Sequence, residues 1–244
     1  MTKHFAILST QRSGTHFLSS LLQSSPQVFV AGETFHRRSK YSFNLEDHDS
    51  PDGQVTPAFA ERELDRFEAA LKSSSASAKA GADTIGIILM YNQCQRLPSA
   101  FADAMLKRWR ILHLIRTNVL RTMVSDFVNQ DPNVPAHSRE KGADPRVALP
   151  CEGLVDKLRS RTDLIRAFRS RIASTNHIEV VYETLAGCTE EEVDRISRFL
   201  AVRDFAAKTS LQRTNPSPLR TKLTNYDEVR AALGGTELLP LLSD

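Results

Sequence analysis

The sequence is poor in cysteine, in tryptophan and in long apolar runs. Its 244 residues include three cysteines and one tryptophan. Cys94, Cys151 and Cys188 have no paired spacing, which argues against a disulfide framework or a zinc site and is typical of a reducing compartment. No stretch approaches the roughly 18 apolar residues of a membrane helix, and the amino terminus shows no apolar signal segment. We therefore expect a cytoplasmic protein without a membrane span.

Neither sign of charge dominates the composition. Lysine and arginine total 32 and aspartate and glutamate total 29, which gives a net charge of +3. This mildly basic balance suits an anionic ligand, but no basic stripe points to nucleic acid as a partner. The hydrophobic content of 41% and the charged content of 25% are ordinary for a globular protein. The length fits a single α/β domain over residues 1–244 better than two small domains.

Apolar runs alternate with helical patterns along the chain. Four runs predict buried strands, and a short run at 28–30 is a fifth candidate; the four are 5–8, 85–90, 111–115 and 178–181. Helical patterns cover 15–22, 58–71, 118–128 and 154–172. Strands that alternate with helices need crossover connections, so the predicted fold class is α/β with a mostly parallel sheet covered on both faces. Polar segments at about 37–57 and 129–150 are expected to frame an acceptor pocket.

The segment after the first predicted strand has the composition of an anion-binding loop. Its residues are Ser9, Thr10, Gln11, Arg12, Ser13, Gly14 and Thr15. Backbone N–H groups and the start of the next helix favour a phosphate or sulfate there. Gly14 allows a close backbone approach and Arg12 supplies a forked cation. The loop lacks the Gly-Lys-Ser/Thr ending of an ATPase loop. From spacing alone, an anion site and a plain strand-to-helix turn are equally good interpretations.

A second candidate anion site follows the predicted strand at 111–115. Arg116 ends this strand, where open α/β sheets bind ligands. Asn118, Arg121 and Ser125 are three to four residues apart and therefore share one polar face of the next helix. A solvated helix face is a common alternative for Arg121, but it is less suitable for Arg116. Two anion sites at two strand ends indicate a nucleotide with phosphate groups at both ends.

Several motifs, in order along the chain, resemble the sulfotransferases that use 3′-phosphoadenosine 5′-phosphosulfate (PAPS). "TQRSGTHFLSSLL" is similar to their 5′-phosphosulfate loop and "IRTNVLRTMVS" to their 3′-phosphate motif. "AGETF", "VVYETL", "RISRFLAV" and the pair "LQRTN" and "LTNYDEV" add further matches. The resemblance is closest to the bacterial carbohydrate and glycolipid branch that includes the trehalose sulfotransferases. It implies a P-loop-like, three-layer fold.

The resemblance implies transfer of a sulfuryl group from PAPS to an acceptor hydroxyl on a carbohydrate or glycolipid. The product nucleotide is adenosine 3′,5′-bisphosphate (PAP), and the in-line displacement needs no metal. The residues implied for the 5′ end of the donor are Arg12, Ser13, Gly14 and Thr15. His16 follows them, and contact with the phosphate and a filling role in the first turn of the helix are its two alternatives. Those implied for the 3′-phosphate are Arg116 and Ser125, and Arg121 is a further candidate because it shares the polar helix face with Ser125. Lys208, Gln212 and Arg213 are candidates to close over the nucleotide.

The acceptor hydroxyl must lose a proton, so a base is required close to the sulfur. Related carbohydrate sulfotransferases place a catalytic glutamate where this chain has Glu33, in "AGETF". Glu33 is therefore the predicted base, and His36 is the alternative. Tyr91 and Gln93 follow the predicted strand at 85–90 and are expected to bind the acceptor.

Two residues are predicted to be structural. Tyr182, at the end of the last predicted strand, is expected to pin the helix that follows the first loop. His113 lies inside an apolar run and is expected in the core or at the sheet end.

One residue departs from the pattern of similar bacterial proteins. Ile88 stands where they often carry a lysine, which leaves Arg12 with more of the charge to neutralise or indicates reduced or altered activity. A non-catalytic nucleotide-binding module therefore remains an alternative function. A P-loop kinase is a weaker one, because it needs a loop lysine and an acidic strand end for Mg²⁺. The acceptor and a homodimeric state remain open.

Overall fold

The computed structural model describes residues 2–45, 55–130, 145–187, 190–203 and 217–243. These residues belong to two compact units. The first unit is drawn from Met1–Ile115 and Phe168–Leu211, and the second from Arg116–Ala167 and Gln212–Asp244. Parts of the two predicted acceptor segments, 46–54 and 131–144, lie outside the described residues.

The first unit is built on a five-stranded sheet in which every neighbouring pair is parallel. Its strands are β1 (Lys3–Ser9), β2 (Val28–Val30), β3 (Thr84–Met90), β4 (Arg110–Ile115) and β5 (His177–Val181). They lie side by side in the order β2-β3-β1-β4-β5. All of the predicted strands are confirmed, including the short one at 28–30. β3 is buried along its whole length, as expected for a strand covered on both faces.

The helices alternate with these strands. In chain order they are α1 (Thr15–Gln23), α2 (Pro57–Ala78), α3 (Tyr91–Arg96), α4 (Ser99–Arg108), α5 (Val119–Gln130), α6 (Leu154–Ile172), α7 (Tyr182–Ala186), α8 (Glu190–Leu200), α9 (Leu219–Lys222) and α10 (Tyr226–Leu233), followed by a 3-10 helix at Leu239–Leu242. α5, α9, α10 and most of α6 belong to the second unit.

Helices cover both faces of the sheet in the first unit. On one face, alternate strand residues such as Ile7 and Leu112 pack against Leu18 of α1 and Ile196 of α8. The opposite face is covered by α2 and α4, which contact each other, β3 and β4. Alternate side chains of a strand point to opposite faces, so both sets of strand residues are buried. The α/β class with a parallel central sheet and flanking helices is thus confirmed.

α2 begins where its sequence predicts and extends further than expected. The Thr56 hydroxyl accepts a hydrogen bond from the Phe59 N–H at 3.2 Å, and proline follows at the first helical position. The helix continues through the small polar residues to Ala78, because Ser75 extends the buried row of Phe67 and Leu71. The connection to β3 therefore begins only after Ala78.

Side-chain hydrogen bonds join separate segments of the second unit. Arg161 of α6 donates to the Thr122 hydroxyl at 3.1 Å and to the Asp126 carboxylate, both on α5. The Asn225 amide, just before α10, accepts from the Leu149 N–H at 3.0 Å and donates to the Leu149 carbonyl at 2.8 Å. These bonds fix α5 against α6 and the segment 147–149 against the start of α10.

Candidate functional site

The carboxyl ends of the five parallel strands share one edge of the sheet. The predicted loop follows β1, Glu33 follows β2, Tyr91 follows β3 and Tyr182 follows β5. In the strand order, β2 lies to one side of β1, whereas β5 lies to the opposite side of β4. The connections that follow β1 and β4 therefore run in opposite directions along the sheet. In open α/β sheets, such a reversal opens a crevice at the carboxyl ends of the two strands, where ligands bind.

The loop after β1 is fixed by short polar contacts. Ser9, at the end of β1, is fully buried, and its hydroxyl donates to the Leu114 carbonyl of β4 at 2.6 Å. The hydroxyls of Thr10 and Ser13 share a hydrogen bond at 2.8 Å across the turn. Arg12 adopts a left-handed backbone with φ of 62°. The loop is therefore a defined turn, and not simply the frayed start of a helix.

Gly14 is the point of closest packing in this loop. Its φ is 91°, and it occupies the N-cap position of α1. A Cβ added at this glycine would lie 2.3 Å from Cδ2 of Tyr182. The Tyr182 ring also meets Phe17 edge-on, with 6.3 Å between the ring centroids. Tyr182 thus packs on the loop and on the first turn of α1, as the sequence predicts.

The surroundings of the loop suit an anion. No acidic residue occupies the first turn of α1, and its N-cap residue, Gly14, has no side chain with which to cap the helix. Ser13 and Thr15 are buried, Arg12 is half-buried and His16 is exposed. Backbone N–H groups at a helix N-terminus carry partial positive charge, and a neighbouring guanidinium adds a full charge. A phosphate or sulfate is the class of ligand that this arrangement can bind.

Glu33 lies in a turn that is tied to β3. The Ala31 N–H donates to the Gly86 carbonyl at 2.9 Å, and the Ile88 N–H donates to the Gly32 carbonyl at 2.8 Å. Gly32 has a φ of 79°, so the chain turns immediately before Glu33. The Glu33 side chain is half-buried, and its Oε2 accepts a hydrogen bond from Nε2 of Gln93 at 2.9 Å.

Aromatic packing holds the segment that follows Glu33 against the helices. Phe35 and Phe43 both contact the Phe67 ring of α2, with centroid distances of 5.1 and 4.5 Å. Phe35 also meets Phe101 of α4 edge-on. The Phe43 N–H donates to the Thr34 carbonyl at 2.8 Å, which closes the segment into a loop. Glu33 therefore sits on a packed turn.

His36, the alternative base, is exposed. Its backbone N–H donates to the Glu33 carbonyl at 3.0 Å, and its Nδ1 accepts from the Arg38 N–H at 3.3 Å. The imidazole is therefore engaged within its own turn.

Tyr91, which is predicted to bind the acceptor, is buried in the structure. It is 1% exposed, and its ring stacks on Phe168 with 4.0 Å between centroids. Its hydroxyl bonds Nε2 of His113, which is fully buried as predicted. The residue begins α3, and this turn directs its ring into the core beside β4. This burial is unfavourable for direct contact between Tyr91 and an acceptor.

On its other side, His113 lies near the ion pair of Glu179 and Arg169. Nδ1 of His113 lies 3.7 Å from Oε1 of Glu179, and Arg169 donates to that carboxylate at 2.6 and 3.1 Å. Burial lowers the pKa of His113 to about 4 and raises the pKa of Tyr91 above its usual range. The hydrogen bond from Arg169 lowers the pKa of Glu179. His113 is accordingly neutral at pH 7.

Ile88 lies in the apolar core of the sheet. It is 1% exposed and packs in the cluster that contains Ile7 and Met90. At this position the side chain supports the packing of β3.

In the second unit, the predicted residues lie just before α5 and along its first seven residues. Oδ1 of Asn118 accepts from the Arg121 N–H at 3.0 Å and so caps the helix, and Nδ2 of Asn118 donates to the Leu241 carbonyl at 2.8 Å. The Arg121 guanidinium donates to the Ser217 carbonyl at 3.3 Å. Ser125 is buried and Arg116 is half-buried. Asn118 and Arg121 thus have structural bonds within this unit.

Three other predictions concern closure over the nucleotide, metal binding and a membrane span. Lys208, Gln212 and Arg213 lie outside the described residues. Within the described ranges, no group of three or more histidine, cysteine, aspartate or glutamate side chains is placed to hold a metal ion. In the same ranges, no helix is long and apolar enough to cross a membrane.

Two structural roles were missed from the sequence. Nζ of Lys79 donates to the carbonyls of Gln23, Ser25 and Val28 at 2.7, 2.6 and 2.8 Å, which joins the end of α2 to the turn between α1 and β2. Gln93 binds Glu33 and was predicted instead to bind the acceptor. Neither role leaves a local signal, because each partner is more than 50 residues away in the chain.

A parallel central sheet with flanking helices and a loop-to-helix turn after its central strand defines a P-loop-like α/β fold. The model of the sulfotransferase family matches residues 5–206, a range that includes β2 to β5, all of β1 except its first two residues, and the loop after β1. The chain therefore belongs to the sulfotransferase family. Members of this family transfer sulfuryl groups and generally use PAPS as the donor. No curated protein matches the chain.

Proposed function

We propose that the protein transfers a sulfuryl group from PAPS to a hydroxyl of a carbohydrate or glycolipid. Family membership supports sulfuryl transfer in general. The particular reaction is supported above all by the half-buried Glu33 carboxylate, at the same sheet edge as the anion-type loop. The resemblance to the bacterial carbohydrate branch supports the acceptor class. The free thiols of Cys94 and Cys151 support a reducing, cytoplasmic setting.

In the proposed step, the acceptor oxygen forms a bond to sulfur while the bond between sulfur and the bridging oxygen of PAPS breaks. The acceptor proton passes to Glu33, and the electron pair of the broken bond leaves on the 5′-phosphate of PAP. As in phosphoryl transfer, the rate depends on positioning and on stabilising the charge of the equatorial oxygens. Arg12 is assigned to that charge and to the departing bridging oxygen.

The remaining assignments follow the resemblance of the two motifs. Ser13, Gly14 and Thr15 bind the 5′-phosphate, and His16 stands beside them. The residues assigned to the 3′-phosphate are Arg116 and Ser125, with Arg121 in support. Lys208 and Arg213 are assigned to closing over the nucleotide. His36 is the alternative base.

Calorimetry with PAP and with ATP, each with and without Mg²⁺, tests the nucleotide. We expect tight PAP binding that does not require Mg²⁺. A hydrogen bond to a charged group contributes about 1.5–3 kcal/mol, so Arg116→Ala should weaken PAP binding by roughly tenfold or more. Arg166→Ala removes an exposed arginine of α6 and serves as the matched control. Preference for ATP with Mg²⁺ would instead identify a kinase, and binding of neither nucleotide would refute the donor assignment.

Transfer of label from PAPS to a panel of sugars and glycolipids tests the reaction. We expect a labelled acceptor with the wild-type protein. Glu33→Gln should reduce the rate by about 10²- to 10⁴-fold, the contribution of general base catalysis. The variant side chain still accepts the Gln93 hydrogen bond, so PAP affinity should persist. Loss of transfer in His36→Gln alone would assign the base to His36. Tight PAP binding without any labelled acceptor would identify a non-catalytic module.

A further inference from the structure

Gln93 is held at both ends of its side-chain amide. It lies in the first turn of α3 and is 4% exposed. Its Oε1 accepts a hydrogen bond from the Met90 N–H at 3.0 Å, and its Nε2 donates to Oε2 of Glu33 at 2.9 Å. Met90 is the last residue of β3, so the amide is anchored on the central sheet.

These two bonds fix which way the amide faces. A backbone N–H can only donate, so the atom that faces Met90 must be the amide oxygen. The NH₂ group is then the one that faces Glu33, and a donor opposite an ionised carboxylate is the favourable pairing. The reversed amide would set a donor against a donor at Met90 and an acceptor against the carboxylate. The orientation of Gln93 therefore follows from the chemistry of its neighbours.

The two carboxylate oxygens of Glu33 have different surroundings. Oε2 is occupied by the Gln93 amide. Among the described residues, Oε1 of Glu33 has no hydrogen-bond donor. A free glutamate side chain loses rotamer entropy when it is ordered, and here the Gln93 bond orders it before any acceptor binds.

We propose that Gln93 is a positioning residue, which holds Oε2 of Glu33 so that Oε1 receives the acceptor proton. This inference rests on the proposed function of Glu33. It replaces direct acceptor binding as the role of Gln93. Gln93 is itself held by the end of β3 and not by a surface loop. Such a rigid anchor is suitable for a base, because proton transfer depends on the direction of the carboxylate.

A double-mutant cycle of Gln93→Met and Glu33→Gln tests the proposal. A misplaced catalytic group can cost about 10²-fold, so Gln93→Met should lower kcat by roughly tenfold to a hundredfold. PAP affinity should change less than about twofold, because the nucleotide does not touch Gln93 in the proposal. In the Glu33→Gln background, the same substitution should leave the residual kcat nearly unchanged, because no base remains to be positioned.

The outcomes separate this inference from the proposed function. Equal losses in both backgrounds would show that Gln93 acts through the fold and would overturn the inference. If Gln93→Met leaves kcat intact while Glu33→Gln abolishes transfer, the base assignment stands and the inference fails. If Glu33→Gln leaves kcat intact, the base assignment itself fails.

Gln93→Glu is the second variant, for the case in which Gln93→Met does not fold. It keeps an oxygen for the Met90 N–H, and its protonated form still donates to Glu33. Ionisation sets two carboxylates against each other, so kcat relative to wild type should fall as the pH rises from 4 to 9. His36, Arg37 and Arg38, the other charged or titratable side chains of the Glu33 turn, are present in both proteins, so the ratio isolates the effect of the new carboxyl group. A ratio that does not vary with pH would overturn the proposal.

Discussion

At the scale of single residues, the loop after β1 depends on two left-handed backbone positions. Arg12 has a φ of 62° and Gly14 a φ of 91°. For a residue with a Cβ, this conformation costs roughly 1–2 kcal/mol. Backbone strain of this kind persists where the surrounding structure enforces it, and it clusters at functional sites. At Gly14 a second constraint is added, because the Tyr182 ring fills the space that a Cβ would need.

Gly14→Ala should therefore damage the loop more than backbone strain alone predicts. We expect loss of measurable PAP binding and a lower melting temperature, because the ring and the new methyl group cannot both keep their places. Gly81→Ala is the matched control, since Gly81 has a φ of 87° but a Cβ added there would meet nothing within 4 Å. Calorimetry with PAP and thermal denaturation measure both effects.

The double variant Gly14→Ala, Tyr182→Ala separates the two causes. Removing the ring should restore part of the PAP affinity and leave only the strain of the left-handed backbone. If Gly14→Ala and Gly81→Ala lower the melting temperature equally and PAP still binds, the packing of Tyr182 on the loop is not what constrains Gly14.

Residue roles were predictable from the sequence only where the motif itself carried them. Gly14 and the packing role of Tyr182 follow from motif position. The contacts of Tyr91 and Gln93 do not, because a strand end specifies which edge a residue occupies but not the direction of its side chain. Tyr91 binds His113 and stacks on Phe168 of α6, whereas Gln93 turns toward Glu33. Long-range packing decides these directions.

At the scale of elements, the strands were the most predictable part of the chain. Buried parallel strands are short apolar runs, and each of the five runs forms one. Among the helices, α3 has six residues and is too short to show a periodic pattern. α4 was also missed, although Phe101 and Met105 lie four residues apart on its buried face. The order of strands could not be derived, because it depends on which edge each crossover joins.

Lys79 shows how one element stabilises the end of another. α1 carries the loop at its N-terminus, and Lys79 binds carbonyls at and beyond its C-terminus. Burial lowers the pKa of Lys79. The ammonium form has three N–H groups, so it is the form that can donate to all three carbonyl oxygens. Unsatisfied helix carbonyls need such partners. Lys79 therefore couples the turn from α1 into β2 with the end of α2.

Lys79→Met should destabilise the protein by about 2 kcal/mol, the scale for hydrogen bonds from a charged donor at a half-exposed site. Urea denaturation gives the free energy of unfolding. Lys72→Met, at an exposed lysine of the same helix, is the control and should change stability by less than about 0.5 kcal/mol. Equal effects of the two substitutions would show that charge, and not carbonyl binding, explains the loss.

At the scale of the whole molecule, basic and acidic residues nearly balance, so no single sign of charge governs stability near neutral pH. Buried groups that do not ionise in the folded protein then account for more of the pH dependence of the free energy of unfolding. His113 is one of them: it is fully buried between Tyr91 and the Glu179–Arg169 pair, with His177 also close enough to affect it. Its folded-state pKa of about 4 lies below the ordinary value of 6.5.

The unfolded chain therefore binds the His113 proton more readily than the folded protein between pH 6.5 and 4. Stability from this group is complete above pH 6.5 and is lost as the pH falls toward 4. The shift corresponds to about 3 kcal/mol at most, at about 1.4 kcal/mol for each pH unit. Glu179, whose folded-state pKa is lowered, loses its contribution below the ordinary glutamate value, so the two groups act mainly in different pH ranges.

His113→Gln tests this assignment, because glutamine still accepts a hydrogen bond from Tyr91 but does not titrate. We expect the variant to be less stable than wild type at pH 7, since the replacement fits the core less well. Between pH 7 and 4.5, however, wild type should lose about 2 kcal/mol more than the variant. Urea denaturation at both pH values measures that difference. His36→Gln, at an exposed histidine, is the matched control for the loss of an imidazole. A parallel decline of wild type and His113→Gln would mean that His113 becomes protonated in the folded protein at little cost.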